Sequence, residues 1–278
     1  MIGLLELLRE RGFDLAALTK MVRHEDARVS IEQLRREGQL DFYQGFQGKA
    51  VFPCEFIVSF LGQPYRRALF YGVFRVCGSR LSRGKVPKGL RYPLWAKRGQ
   101  LWYDLERLSG FGDLEDRVII DWGLSTRSWH QWLRDREVVE VLPAGYVKEF
   151  PGYTDFILSF NELRAIICNP VANREWHTML SAVGGVYLIV DRSTGRQYVG
   201  SACGEGGILS RWASYAKTSH GGNKLLRALI ATEQSYAERF DFTILQTLPR
   251  TATPAEVIAY EQQYKRKLGS RAHGLNSN

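Results

Sequence analysis

No stretch of this 278-residue chain is apolar for long enough to cross a membrane, and it opens without a charged-then-apolar leader. Both absences predict a cytoplasmic protein with no membrane partner. Cysteine is sparse. Cys54, Cys77, Cys168 and Cys203 lie far apart and none has the spacing of zinc ligands, which argues against a zinc ribbon and for reduced thiols. There is no internal repeat, no low-complexity tract and no Gly/Ser-rich or Pro-rich linker. What remains is 45% hydrophobic and 24% charged, the balance of a folded globular chain with room for one large domain or two ordinary ones.

Charge of one sign is in excess. The formal net charge is +9 and the isoelectric point is near 9.4. From Ser181 onward 12 Lys and Arg face 7 Asp and Glu, so the last third is the most basic part per residue. Such an excess suits a polyanionic partner such as nucleic acid, although charge alone does not establish one.

Residues 1–45 are expected to be helical. Leu4, Leu5, Leu7 and Leu8 form an apolar stripe, Asp14 can cap a second helix carrying Leu15, Leu18 and Val22, and Ser30 with Gln33 offers a capping box for a third that Gly38 ends. Three short helices can read DNA as a helix-turn-helix, though they more often simply pack. From residue 46 to 150 β-branched and aromatic runs at 56–61, 67–76, 101–105, 117–122 and 138–142 are broken by Gly and Pro, which predicts a small barrel or strongly bent sheet. Within it, residues 79–98 contain Arg80, Arg83, Lys85, Lys88, Arg91, Lys97 and Arg98 and no acidic residue. That loop suits phosphate contact. Trp95, Trp102, Trp122, Trp129 and Trp132 nearby are better read as barrel core than as base-stacking surfaces. Residues 151–182 are expected to be a helical connector, with a capping box at Ser159 and Glu162 and a stop at Asn169-Pro170.

Residues 184–202 hold the feature around which the rest is organised. Two β-rich runs, 186–190 and 197–199, flank Ser193-Thr194-Gly195, which favours chain reversal. An even-length turn pairs Ile189 with Tyr198 and Tyr187 with Gly200, and places the two phenols on one face. They could be core or the edge of a site. Further on, Thr253-Pro254-Ala255-Glu256 opens a helix with a capping box and a first-turn proline, and Gly269 closes it. Its apolar stripe is read as Val257, Tyr260, Tyr264 and Leu268, with Glu261 at the stripe's edge. A carboxylate there is costly unless paired or bound to a cation, so a buried salt bridge, a solvent-reaching edge and a metal ligand are the alternatives. One carboxylate-held divalent metal, one Arg and a phenol that orients or deprotonates water would together suit phosphodiester hydrolysis. Glu261, Arg211, Tyr187 and Tyr198 supply that set.

These residues carry a resemblance. Residues 183–278 resemble a GIY-YIG nuclease domain, with Gly185-Val186-Tyr187 and Tyr198-Val199-Gly200 as its two signatures, Val replacing Ile in each. The Arg one helix later, the Glu on a further helix and Leu275-Asn276 follow the family's order. The resemblance implies an α+β fold, a small antiparallel sheet flanked by helices, and one-metal cleavage using Mg²⁺ or Mn²⁺. It makes Tyr187 the general base or water-orienting phenol, with Tyr198 supporting it. Arg211 becomes the group that stabilises the pentacovalent phosphate, and Glu261 the metal ligand. Tyr215, one turn after Arg211, falls where members carry His or Tyr and becomes a second phenol. Asn276 matches a terminal Asn that supports the site. His220, before Gly221-Gly222, is a further candidate, although a His beside a glycine turn is more often structural. The resemblance does not cover the first 180 residues, whose β-rich pattern is similar to the small barrels that read modified bases in some restriction enzymes, an analogy of pattern alone. The expectation is a Mg²⁺-dependent endonuclease acting on double-stranded DNA, a restriction or defence enzyme with an N-terminal target-recognition domain. A repair, recombination or mobile-element nuclease, or a DNA-binding protein without activity, are the alternatives. Cutting both strands with one site per chain often takes two subunits, which leaves a homodimer on DNA open.

Overall fold

The protein is described from a computed structural model, covering residues 2–85, 87–92, 95, 97–124, 128–233 and 235–276. It divides into two compact units, Met1–Pro143 and Ala144–Asn278. The fold class is α+β. Residues 151–182, expected as a connector, fall in the second unit, and their helices contribute to its core.

In the first unit, helix α1 (Leu4–Glu10) forms from the leucine stripe, burying Leu4 and Leu8. The second expected helix is a strand. Asp14 does turn the chain, its carboxylate accepting from the Ala16 N–H at 2.9 Å, but Thr19–His24 then runs extended as β1. All six residues of β1 are buried, Met21 in one apolar cluster and Val22 in another. A strand buried on both faces has no period-two signature, and its apolar residues can be mistaken for a helical stripe. With a strand between the helices, the succession needed for three leading helices is broken. The next two, α2 (Ile31–Arg36) and α3 (Leu40–Gly45), have six residues each. Ser30 caps α2 by accepting from the Gln33 N–H at 3.2 Å, while the Gln33 side chain turns to Glu37 and no reciprocal box forms.

Where β-branched residues and breakers predict strands the unit has β3 (Phe56–Gly62), β4 (Arg67–Leu81), β5 (Leu101–Arg107), β6 (Val118–Asp121) and β8 (Val138–Val141), although β4 runs on through Gly78 into the expected loop; β2 (Phe46–Gln47) and β7 (His130–Trp132) are short strands that the pattern does not predict. Their order is β2-β5-β4-β3-β1-β7, with β6 and β8 branching from β4. Only the β1–β3 pair is parallel among the described pairings. The path runs from β2 to β7 as an open, bent sheet. Bulges at Ser59/Phe60 and Val76/Gly78 supply the bend. The basic segment leaves the end of β4 and returns at β5, so Arg80 already lies on the β4–β5 hairpin, 5.6 Å over the Trp102 ring. Trp122 is fully buried, as a core tryptophan should be, whereas Trp132 is exposed.

The second unit holds a four-stranded antiparallel sheet. After β9 (Leu158–Ser159), helix α4 (Phe160–Cys168) opens on a complete Ser159/Glu162 capping box, and α5 (Arg174–Ala182) leads directly into β10 (Val183–Asp191). The hairpin continues with β11 (Gln197–Ala202), followed by α6 (Gly207–Thr218), α7 (Lys224–Ile230), β12 (Phe240–Pro249) and α8 (Pro254–Lys267). Strand order is β11-β10-β12-β9, which puts the hairpin's second strand at the edge. The core gathers Leu163, Trp176, Ile189, Trp212 and Phe242 with Tyr187 and Tyr215 among them. Phenols in a core this apolar must find hydrogen-bond partners.

Candidate active site

The hairpin register is the one an even-length turn predicts. Ile189 pairs with Tyr198 and Tyr187 with Gly200. Asp191 builds the turn: its carboxylate accepts from the Ser193 N–H and hydroxyl, the Thr194 hydroxyl, and the Tyr236 hydroxyl at 2.7 Å. Tyr187 and Tyr198 therefore share one face, with Tyr187 fully buried and Tyr198 half-buried.

On that face α6 delivers Arg211 and Tyr215, one turn apart. The Tyr187 and Tyr215 hydroxyls are 3.1 Å apart. Arg211 Nε donates to the Tyr187 hydroxyl at 3.1 Å, and its two terminal nitrogens donate to Tyr215 at 3.3 Å and to the Gly221 carbonyl at 2.9 Å. The guanidinium also lies 5.0 Å over the Tyr215 ring. A guanidinium has five N–H donors. Three are engaged here, so two remain for other partners. Gly221 is needed in this corner, because its backbone has φ +53° and a β-carbon there would meet the Tyr215 ring at 2.5 Å.

Burial sets the electrostatics. Desolvation pushes the Tyr187 phenol above its ordinary range, reinforced by the Tyr198 phenol and opposed by Arg211. Burial also pushes Tyr215 up, with Tyr187 and Tyr198 adding to it. For Arg211, burial works against the charge, but the Tyr187 and Tyr215 phenols outweigh it and the group stays cationic far above neutrality. The cluster at neutral pH is two neutral phenols around one fixed positive charge.

Glu261 reaches the hairpin on α8. The expected capping box forms, with Thr253 accepting from the Glu256 N–H and Glu256 accepting from the Thr253 N–H and hydroxyl. The buried stripe differs from the expected one. Tyr260 and Leu268 are exposed, while Val257, Glu261 and Lys265 face inward at i, i+4 and i+8. The α8 surface thus keeps Val257 buried and Tyr264 half-buried as predicted, and buries an ion pair beside them while Tyr260 and Leu268 face out. Lys265 Nζ is 2.7 Å from Glu261 Oε1, and the Ser201 hydroxyl donates to Oε2. Ser201 directly follows Gly200, whose partner across the hairpin is Tyr187. The phenol and the carboxylate therefore meet the edge strand at consecutive residues, whose side-chain directions lie on opposite faces of the hairpin.

The other two expected residues lie apart from this chemistry in their contacts. The Asn276 amide accepts from the Val199 N–H at 2.9 Å and donates to the Val199 carbonyl at 2.8 Å, so it is spent on the outer edge of β11. His220 Nδ1 accepts from the Gly222 N–H at 2.9 Å, closing the loop whose Gly221 carbonyl holds Arg211. Ser201 and Lys265 were not singled out from sequence. Lys265 carries a readable signal, an acid followed four residues later by a base, but that pattern usually marks a solvent face.

A divalent cation fits the donors present. Each Glu261 oxygen accepts one bond and keeps a further lone-pair site, and the side chain is 16% exposed. Among the described residues no group of three or more His, Cys, Asp or Glu could hold a metal ion, so the protein would offer one carboxylate, with the Ser201 hydroxyl beside it.

Neither the protein-family models nor the curated proteins give a match. Among solved structures, a mutant of the catalytic domain of intron endonuclease I-TevI matches at 22% identity and a TM-score of 0.28, over 34% of this chain and 94% of that one.

Proposed function

We propose that the chain is a metal-dependent endonuclease of the GIY-YIG type that hydrolyses phosphodiester bonds in double-stranded DNA. The observation that carries this reading is the joining of Tyr187, Arg211 and Tyr215 into one hydrogen-bonded cluster beside the strand that also holds Glu261 through Ser201. Arg211 binds a non-bridging phosphate oxygen and offsets the charge that builds up at phosphorus. Tyr187, kept neutral by burial, orients the attacking water instead of deprotonating it. Tyr215 holds the guanidinium plane, and Tyr198 forms the outer wall. Glu261 would hold Mg²⁺ or Mn²⁺, which when bound would supply Lewis-acid chemistry. Asn276 and His220 act through the backbone they brace.

The first unit is the DNA-recognition domain in this reading, with the acid-free segment 79–98 on the phosphates. A restriction or defence role is the biological setting it suits best. One observation favours a second reading: Glu261 is already neutralised by Lys265, as suits a DNA-binding protein that does not cut. Plasmid nicking with Mg²⁺ separates the two. Native chain that nicks, with Glu261→Gln inactive and still binding DNA, supports the nuclease; a native chain that binds but never cuts under Mg²⁺ or Mn²⁺ sinks it.

A further inference from the structure

We infer that Lys265 is a positioning residue for Glu261, a built-in counter-cation that fixes the carboxylate and weakens its grip on a divalent metal ion. The inference rests on the metal-dependent reading above. Lys265 is 1% exposed, while its neighbours Arg266 and Lys267 are in solvent. An ammonium is taken out of water only where it is compensated, and Glu261 Oε1 at 2.7 Å is one partner that does so. Exposed i, i+4 pairs on helices contribute little; a buried one restrains both side chains.

Ser201 approaches the same carboxylate from β11 and donates to the other oxygen. Glu261 is thus held from two directions, by its own helix and by the strand, before any metal arrives. A pre-held ligand spares a cation the cost of ordering it. The ammonium acts oppositely on affinity. A divalent ion taking a remaining lone pair of Glu261 stands within a few ångströms of a fixed unit charge of like sign, in surroundings that screen less than water. The pair therefore gives a rigid ligand with reduced pull, and metal binding becomes dependent on whatever adds negative charge at the same point. A DNA phosphate does so. The metal and the substrate are then expected to bind together more strongly than either alone.

The test uses the full chain without DNA and Mn²⁺ alone as probe, with free Mn²⁺ counted by electron paramagnetic resonance. Lys265→Met should bind Mn²⁺ at least about tenfold more tightly than the native chain. Lys265→Arg, which keeps the charge, should stay near the native affinity. The gain should vanish in Lys265→Met/Glu261→Gln. If circular dichroism shows that Lys265→Met is unfolded, Lys265→Gln takes its place with the same expectation. Equal or weaker Mn²⁺ binding on loss of the ammonium overturns the inference while leaving the metal reading intact, provided Glu261→Gln alone reduces binding. If Glu261→Gln binds Mn²⁺ as the native chain does, the metal reading itself fails.

Discussion

The phenol of Tyr187 lies over the α-carbon of Gly200, so closely that a β-carbon there would stand 2.5 Å from its Cζ. Gly200 is thus the space that lets Tyr187 reach the edge of its sheet. Gly200→Ala should displace the ring or be rejected by the fold, at roughly 1–3 kcal/mol. Thermal melting together with nicking rate checks this, and a variant with unchanged values for both would refute it.

Removing Arg211 takes away the fixed charge and also the bridge between the two phenols. Arg211→Ala is expected to lower cleavage by about a hundredfold or more at saturating Mg²⁺. Arg211→Lys should recover little, because an ammonium cannot hold Tyr187, Tyr215 and Gly221 and still face a phosphate. Single-turnover rates on a supercoiled plasmid report both.

Tyr187→Phe keeps the packed ring and leaves the Arg211 Nε–H and the Tyr215 hydroxyl short of a partner, costing roughly 1–3 kcal/mol of stability. Its pH profile is the sharper measurement. Burial holds this phenol above its ordinary value of 10. Between pH 7 and 10 the native rate should therefore show no rise that Tyr187→Phe abolishes. Such a rise would make Tyr187 a general base.

Glu261→Gln removes the carboxylate that is paired with the buried Lys265 ammonium. Stability should fall by roughly 3 kcal/mol, and adding Lys265→Met should restore much of it. Urea unfolding of the two single variants and the double variant measures this coupling. Purely additive losses would mean that the pair is not a unit. The same experiment guards against reading a folding defect of Glu261→Gln as a catalytic one.

The first unit has its own pH sensitivity. His24 Nε2 donates to the Gln44 side-chain oxygen at 3.1 Å, which also accepts from Ser59, and burial pulls the imidazole down from 6.5 to about 4. The folded state thus favours neutral His24. The stability it contributes is intact above pH 6.5 and is lost as pH falls toward 4, roughly 3 kcal/mol in all. Denaturation of the chain across that window should show the loss, and His24→Gln should flatten it.

Local chemistry was the legible part of this protein. The hairpin register, the capping boxes at Ser159 and Thr253, and the strands around Gly and Pro breaks all follow from short-range rules, and the structure has them. What could not be read depended on burial from both sides. Residues 19–24 look helical by spacing and become a strand because two apolar clusters claim its two faces. On α8, apolar Tyr260 and Leu268 are expected inside, yet both are exposed and Lys265 is buried, its head group paired with Glu261. Tyr187 and Arg211 were identifiable in one set with Tyr198 and Glu261, Tyr215 only through the resemblance, whereas Ser201 has no signal beyond its place after Gly200.

Asn276 gives its amide to both the N–H and the carbonyl of Val199, and Leu275 donates its N–H to the Gln197 carbonyl at 2.7 Å. That is the bonding a fifth strand would provide, supplied by two residues. It closes the outer side of β11 to sheet extension over residues 197–199. Two copies of the chain cannot join by continuing their sheets there without first unseating Asn276, so any pairing that lets two sites address one duplex must use other surfaces.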